Sequence, residues 1–395
     1  MNKERAVWII LFIMLAVTTV NYSFKQGLDK EPQIYSNVTT ITGDDTSFES
    51  TEAEPLAIIK KATSPFFTKH QARNITQHIS VEKNNHAELP YVLYKFNDPL
   101  LPLARLLDFR LLDNTFWFSG DTGLVSFDLN TEQWSIFDKD NGLPGDTAYD
   151  LDVVDQKLLV EIYNWKENSL SGVGTYQFNN GKYSKLKRSI ETAKAGVRLS
   201  LTLTGLPGSV NDVLQHNGFN WASFRGKHIS REIGFEGGGV AQLTPEGELV
   251  KSHTLNDGLS DSYAYTMTAM DDGKLWLSHF KEERGLSVLP PNTSSWESVK
   301  TSANDIELGG VRLGNVNEIL VIGQQRGLVF YNTESHQAHM ITEKMGLPGY
   351  IVTGIQTTGN TVWVSAYSYA RGGRKQRSTG LIKFEYEDII RLFSN

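Results

Sequence analysis

Hydrophobic and polar positions alternate with a period of two through most of the chain, in short runs separated by turn residues. The clearest stretch runs from Trp117 to Thr147, WFSGDTGLVSFDLNTEQWSIFDKDNGLPGDT. Trp117-Phe118, Gly123 to Phe127 and Gln133 to Phe137 read as three antiparallel strands, with turns at Ser119 to Thr122 and at Asn130-Thr131. A loop built on Gly142-Leu143-Pro144-Gly145 follows them.

The rest of the chain repeats this unit. The loop recurs as Gly205-Leu206-Pro207-Gly208 and Gly346-Leu347-Pro348-Gly349, and in variant form as Gly258-Leu259-Ser260-Asp261. The Trp117 strand recurs around Trp221, Trp276 and Trp363, with weaker copies at Leu158-Leu159-Val160 and Ile319-Leu320-Val321. A glycine opens the next strand at Gly123, Gly174, Gly239, Gly285, Gly327 and Gly380. Trp276 lies 55 residues after Trp221, and Trp363 lies 87 after Trp276, which spans two repeats. A four-stranded propeller blade takes roughly 40–50 residues, so the period fits. One blade alone exposes both faces of a small sheet, and stacking blades around an axis buries them. The expected fold is therefore all-β, a β-propeller of four-stranded antiparallel blades. Six inner strands are expected to begin near Ala104, Ala148, Asn211, Ala264, Gly309 and Ile351. Seven blades is the alternative. Leu56 to Ile59 and Tyr91 to Phe96 look like strands that either give an outer strand to the last blade or form part of a seventh. The last unit reads as holding its own outer strand, Ile389 to Phe393.

The pattern W-x5-GL-x2-F, W-x2-F, GLP, carried by Trp117, Gly123, Leu124, Phe127, Trp134, Phe137, Gly142, Leu143 and Pro144, resembles the propeller repeats in sensory ectodomains of bacterial hybrid two-component regulators. The resemblance covers about residues 100 to 395, strongly in the first and fifth units and loosely in the second to fourth. It implies a sensor-like binding propeller without kinase or output domain, and its motifs specify blade packing rather than a ligand.

Ahead of the repeats, residues 1–5 carry Lys3 and Arg5, and residues 6–24 hold no charge. That segment reads as a transmembrane signal anchor, or as a cleaved signal if the chain is secreted, with the basic residues on the cytoplasmic side. Residues 25–54 are polar and acidic and read as a disordered linker. Residues 55–100 open and close the ring, and residues 101–395 form the propeller proper. The expected location is a bacterial inner membrane, with the propeller in the periplasm or outside the cell.

Composition removes several chemistries. The chain has no cysteine, so disulfides, thiolate metal ligands and thiol nucleophiles are excluded. Its net charge of −7 argues against nucleic acid as a partner. The histidines fall in no metal-binding spacing, and no phosphate loop or nucleophile elbow occurs, so neither metal nor cofactor is expected.

Candidate binding residues lie in the connections between second and third strands, the face where propeller ligands generally enter. These are Trp165, Arg225, His228, Arg231, His279, Arg284, Arg326, Tyr369, Arg371, Arg374, Lys375 and Arg377. The six connections carry eleven Lys or Arg against six Asp or Glu, although the chain as a whole is acidic. Guanidinium groups beside Tyr and Trp suit a carboxylate, sulfate or phosphate on a small ligand or glycan, and equally an acidic protein. Against this, the glycine–leucine-type loops on the same face carry Asp138, Asp140, Asp146, Asp257, Asp261, Asp305 and Glu307, which could pair with the arginines and leave a neutral rim. Three functions fit: a non-catalytic binding module, a lyase or hydrolase using His228, His279 and Tyr369, or a structural part of an envelope assembly.

Overall fold

The computed structural model describes residues 72–85, 89–96, 106–120, 123–154, 156–164, 174–179, 181–186, 210–230, 234–280, 285–299, 306–349, 351–369 and 376–394. All belong to one unit, Phe66–Asn395. They form six antiparallel blades, not seven. Blade 1 runs through Leu106–Leu112, Thr115–Gly120, Gly123–Asp128 and Gln133–Phe137, from the axis outward. Blade 2 is Thr147–Val154, Lys157–Tyr163, Gly174–Asn179 and Lys182–Lys185. Blade 3 is Val210–His216, Phe219–Phe224, Gly239–Leu243 and Leu249–His253. Blade 4 is Ala264–Ala269, Leu275–His279, Leu286–Leu289 and Glu297–Val299, and blade 5 is Arg312–Val316, Ile319–Gly323, Leu328–Asn332 and Ala338–Ile341. The fifth inner strand thus begins at Arg312, three residues beyond the expected start.

Blade 6 corrects a further expectation. Ile351–Thr358, Thr361–Tyr369 and Gln376–Glu385 are its first three strands, but Tyr91–Phe96 supplies the fourth and Ile79–Asn84 a fifth. The segment read as its own outer strand, Ile389 to Phe393, is instead the end of a helix, Tyr386–Arg391, and the turn after it. The apolar positions Ile389 and Leu392 are three apart and both buried, a helical spacing too brief to distinguish from a strand by pattern. Early and late chain segments therefore share one sheet and close the ring. Arg73–Asn74 likewise adds to the outer strand of blade 1. Leu56 to Ile59 lies outside the described residues.

The repeat motifs have direct structural causes. The glycine expected to open each third strand has a positive φ, from 72° at Gly285 to 153° at Gly327, although in blade 6 the strand starts earlier and Gly380 lies within Gln376–Glu385. A Cβ there would run into a carbonyl of the outer strand: Phe137 at Gly123, Ile341 at Gly327, Tyr94 at Gly380. In the glycine–leucine loop, a 3-10 turn such as Lys139–Asn141 or Leu255–Asp257 is capped by Asp138 or Thr254. It ends on left-handed Gly142, Gly258 or Gly346. The following Leu143, Leu259 or Leu347 is then buried in the seam to the next blade.

The tryptophans of the second strands all face the following blade. Trp117 packs on blade 2, Trp221 on blade 4, Trp276 on blade 5, and Trp363 on blade 1. Blade 5 uses Val321 against blade 6 at this position. Apolar clusters thus bridge five of the six seams. At the seam between blades 2 and 3, the cluster Ala222, Phe224, Ala241 and Leu243 draws only on blade 3 among the described residues.

Candidate functional site

The inner strands share a device at the end where they begin. In five blades the ladder between first and second strands slips by one residue, at Leu107, Tyr149, Asn211, Tyr265 and Thr353. A β-bulge of this kind bends the strand and re-aims the side chains beside it. In blades 1 to 3 the next residue is Asp108, Asp150 and Asp212. Each carboxylate accepts the N–H of the residue that follows it, at 2.9, 3.0 and 3.0 Å. The acid satisfies a donor that the slipped ladder displaces.

Opposite the bulges stands a serine in four blades: Ser119, Ser223, Ser278 and Ser365. Three of these reach forward to the next blade. Ser119 Oγ donates to the Tyr149 carbonyl at 3.2 Å, Ser223 Oγ to the Tyr265 carbonyl at 2.8 Å, and Ser278 Oγ to the Gly310 carbonyl at 3.0 Å. Blades 2 and 5 have Glu161 and Gly323 at this position. These bonds hold each mouth carbonyl against its neighbour.

Polar contacts near the axis join blade 1 to 2, 3 to 4, 4 to 5, 5 to 6 and 6 to 1. Arg110 Nη1 lies 2.7 Å from Asp108 Oδ1 and donates to the Phe109 carbonyl, and its Nε lies 3.6 Å from Asp152 of blade 2. Burial opposes the charge on Arg110, but Asp108, Asp152, Asp150 and Asp212 outweigh it and hold its pKa above the ordinary value. Asp212 Oδ2 accepts from Thr266 Oγ1 at 3.1 Å and from the Met267 N–H at 2.9 Å, joining blade 3 to blade 4. Thr268 donates to Asn315, Arg312 to the Thr353 carbonyl, and Gln356 to the Phe109 carbonyl, which joins blades 4, 5, 6 and 1 in turn.

Aromatic groups stand at the same level. Tyr149, 44% exposed, meets Tyr163 edge-on at 5.3 Å, and the Tyr163 hydroxyl donates to Glu161. Burial and the Glu161 charge raise the Tyr163 pKa. In blade 4, Tyr265 packs with Tyr263 and Phe280.

The expected site residues fall out differently from one another. Arg225 is exposed just after the second strand of blade 3, and Arg326 is exposed in the corresponding turn of blade 5. His228 sits in Lys227–Ser230, which pairs with Gly234–Glu236 as a short hairpin beyond blade 3. The glycine-rich run Gly234 to Gly239 thus begins as a strand. Tyr369 and Arg377 lie on neighbouring rungs of a hairpin that prolongs blade 6, Tyr369 facing Gln376 and Ser368 facing Arg377. Tyr367 to Tyr369 and Gln376 to Ser378, inside the expected second-to-third connection, are thus paired strand. Trp165, Arg231, Arg284, Arg371, Arg374 and Lys375 lie outside the described residues.

His279 is corrected. It is wholly buried, with Nε2 2.8 Å from Ser287 Oγ and Nδ1 3.3 Å from the Tyr263 carbonyl, and Ser287 Oγ also receives the Ser260 N–H. It ties the second strand of blade 4 to the third and to the glycine–leucine loop, and faces no open space. The loop acids are also spent locally: Asp138 pairs with Arg73 at 2.6 Å and Asp257 with Lys251 at 2.8 Å. Neither neutralises the arginines of the second-to-third connections.

Sequence reasoning missed the axial groups Asp108, Arg110, Asp150, Asp152, Asp212 and Arg312. Their signal is a charge inside a short apolar strand at one repeat position, as in Leu107-Asp108-Phe109, Tyr149-Asp150-Leu151 and Asn211-Asp212-Val213. Among the described residues, no group of three or more His, Cys, Asp or Glu is arranged to hold a metal ion.

No protein-family model matches the chain, and no curated protein matches it. Solved structures similar to it include the extracellular domain of BT4673 from B. thetaiotaomicron, at 12% identity and TM-score 0.39, with 78% of this chain and 45% of that one covered. Another is the extracellular domain of BT3049 from the same organism, described as a hybrid two component system, at 12% identity and TM-score 0.33, with 79% and 57% covered. A third is regucalcin, a calcium-binding protein from Agrobacterium tumefaciens, at 15% identity and TM-score 0.41, with 71% and 93% covered. This chain spans about half the length of the first two. At these levels the likeness bears on the fold alone.

Proposed function

We propose that the chain is a membrane-tethered, extracytoplasmic β-propeller that binds a small ligand or a protein at the mouth where its inner strands begin, without catalysis of its own. The observation that carries this reading is the convergence there of repeated bulges, four of the five at a polar or aromatic residue (Tyr149, Asn211, Tyr265 and Thr353), on a six-bladed ring. A concave site lined by a few fixed polar groups is a binding geometry. Arg110 joins blades 1 and 2, and His279 is buried and bonded to Ser287 and to the Tyr263 carbonyl within blade 4. An enzyme reading loses His279, one of its three named groups. Tethering rests on the uncharged segment 6–24 behind Lys3 and Arg5, and no helix among the described residues is long and apolar enough to cross a membrane. The arginine-rich hairpin of blade 6 suits an anionic ligand, a glycan bearing carboxylate or sulfate, or an acidic partner.

The test compares the intact, membrane-extracted protein with a variant in which Arg371, Arg374, Lys375 and Arg377 are all changed to Glu. Thermal melting should be unchanged. A partner captured by the wild type and lost in the variant, or a thermal shift with an anionic ligand lost in the same way, supports the reading. Identical partners and no ligand-induced shift in either protein overturn it.

A further inference from the structure

The seam between blades 3 and 4 contains a buried histidine that the binding site does not use. His253 ends the outer strand of blade 3 and is 1% exposed. Neither of its ring nitrogens meets a hydrogen-bond partner among the described residues. Trp221 of its own blade lies tilted against it at 5.5 Å between ring centroids, and Trp296 of blade 4 meets it edge-on at 6.1 Å. The indole Nε1 of Trp296 is unpartnered as well. A buried imidazole normally has at least one partner, and two orphaned nitrogens cost free energy that the fold must supply elsewhere.

The internal repeat sharpens the anomaly. Counting back from the turn glycines Gly142, Gly258 and Gly346, the position of His253 is held by Phe137 in blade 1 and Ile341 in blade 5, both buried. In blade 3 an imidazole takes this buried place. Trp296 is held in the slot by more than the ring contact. Its backbone N–H donates to the Asp257 carbonyl at 2.8 Å, so the outer strand of blade 4 is fastened to the loop directly after His253. The charged groups that act on the ring are Lys251 on its own strand and Asp257 on that loop, paired with each other at 2.8 Å. The facing groups from blade 4 and the inner strands of this cluster are uncharged: Trp296, Leu259, Met267 and Leu289.

We propose that His253 is an acid-sensitive latch on the seam between blades 3 and 4: neutral, it occupies the apolar slot between the two indoles; protonated, it leaves the slot and frees the outer strand Leu249–His253 from Trp296. Burial is the main cause that lowers its pKa, to about 4, with Lys251 adding to the fall and Asp257 opposing it. The sign follows. The closed seam holds the neutral ring, while the opened seam exposes a histidine of ordinary pKa, near 6.5. As pH falls below about 6.5 the open form gains a proton that the closed form refuses, and the opening penalty shrinks until the pH reaches about 4. Strand Leu249–His253 is a sheet edge with Leu249, Val250 and the following Leu255 already exposed, so opening here adds the two indoles to apolar side chains already at the surface.

Amide hydrogen exchange of the full chain tests the latch, with peptides covering Leu249–His253 and Glu297–Val299 followed from pH 7.5 to pH 5 and corrected for intrinsic exchange. The expected result in the wild type is about thirty-fold more local opening of these two strands at pH 5 than at pH 7.5, with blades 1 and 5 unchanged. His253→Phe, which restores the residue found in blade 1, should show no such pH dependence. His253→Gln serves the same end if Phe does not fit, because it is polar and does not titrate. Equal pH dependence in wild type and variant, or a wild-type loss spread evenly over all blades, overturns the proposal. This outcome is independent of ligand binding at the mouth.

Discussion

At the scale of single residues, the most demanding positions are the glycines expected to open the third strands. Gly380 combines a φ of 120° with a backbone carbonyl, that of Tyr94, where a Cβ would stand. Neither strain can be relieved by moving a flexible side chain. Gly380→Ala should therefore cost about 2–4 kcal/mol in chemical denaturation, well above the effect of an ordinary Gly→Ala change in a strand. Because the obstructing carbonyl belongs to Tyr91–Phe96, the loss should be accompanied by faster exchange in that strand. A variant as stable as wild type would mean that the two strands are farther apart than described. His253 is the converse case, a residue the repeat would make apolar.

At the scale of elements, the ring is closed by a strand from the other end of the propeller. Tyr91–Phe96 buries Leu93 and Tyr94, and Tyr94 packs against Phe127, Trp134 and Trp363 across the seam of blades 6 and 1. Burying each such side chain stabilises by about 2–3 kcal/mol. A chain beginning at Pro99 is expected to melt about 10 °C below one beginning at Ala72 and to lose its single cooperative transition, as calorimetry would show. Equal melting temperatures would sink the closure. The helix Tyr386–Arg391 takes no part in the sheet. It covers the edge of blades 5 and 6, where the Tyr386 hydroxyl donates to Glu318 at 2.6 Å.

At the scale of the whole molecule, the blades are joined around the axis by polar groups as well as by apolar seams. Arg110 faces Asp108 of its own blade and Asp152 of the next, with Asp150 and Asp212 also acting on it. Removing one member of such a buried set leaves uncompensated charge, so Arg110→Met should cost about 3–5 kcal/mol. Adding Asp152→Asn to that variant should recover part of the loss, read as a favourable coupling in a double-mutant cycle. Strict additivity would show that the two side chains do not act on each other. The serine bonds from blade to blade have the same purpose. Among the described residues they run from blades 1, 3 and 4; in blades 2 and 5 Glu161 and Gly323 replace the serine, and in blade 6 Ser365 bonds Thr353 of its own blade.

The propeller fold, its four-stranded blades, and the local reasons for Gly142, Gly123 and Leu143 were legible in the chain alone, whereas six blades against seven was decided by the closed ring. A period-two pattern and a repeated turn are properties of near neighbours, and each repeat states them again. The paired hairpin of Tyr369 and Arg377 was hidden because polar side chains on a protruding strand carry no hydrophobic alternation. The fate of His279 was hidden because burial depends on Ser287 and Tyr263, which reach it only through the sheet. Which strand closes blade 6 was likewise decided in three dimensions. Tyr91–Phe96 and Ile389 to Phe393 have similar apolar patterns, and only the stacked ring leaves one an open sheet edge and the other a surface that a helix covers. The axial network was the furthest from reach: Arg110, Asp152 and Asp212 are distant in sequence, and a charge inside a strand becomes affordable only when the ring brings its counter-charge from another blade.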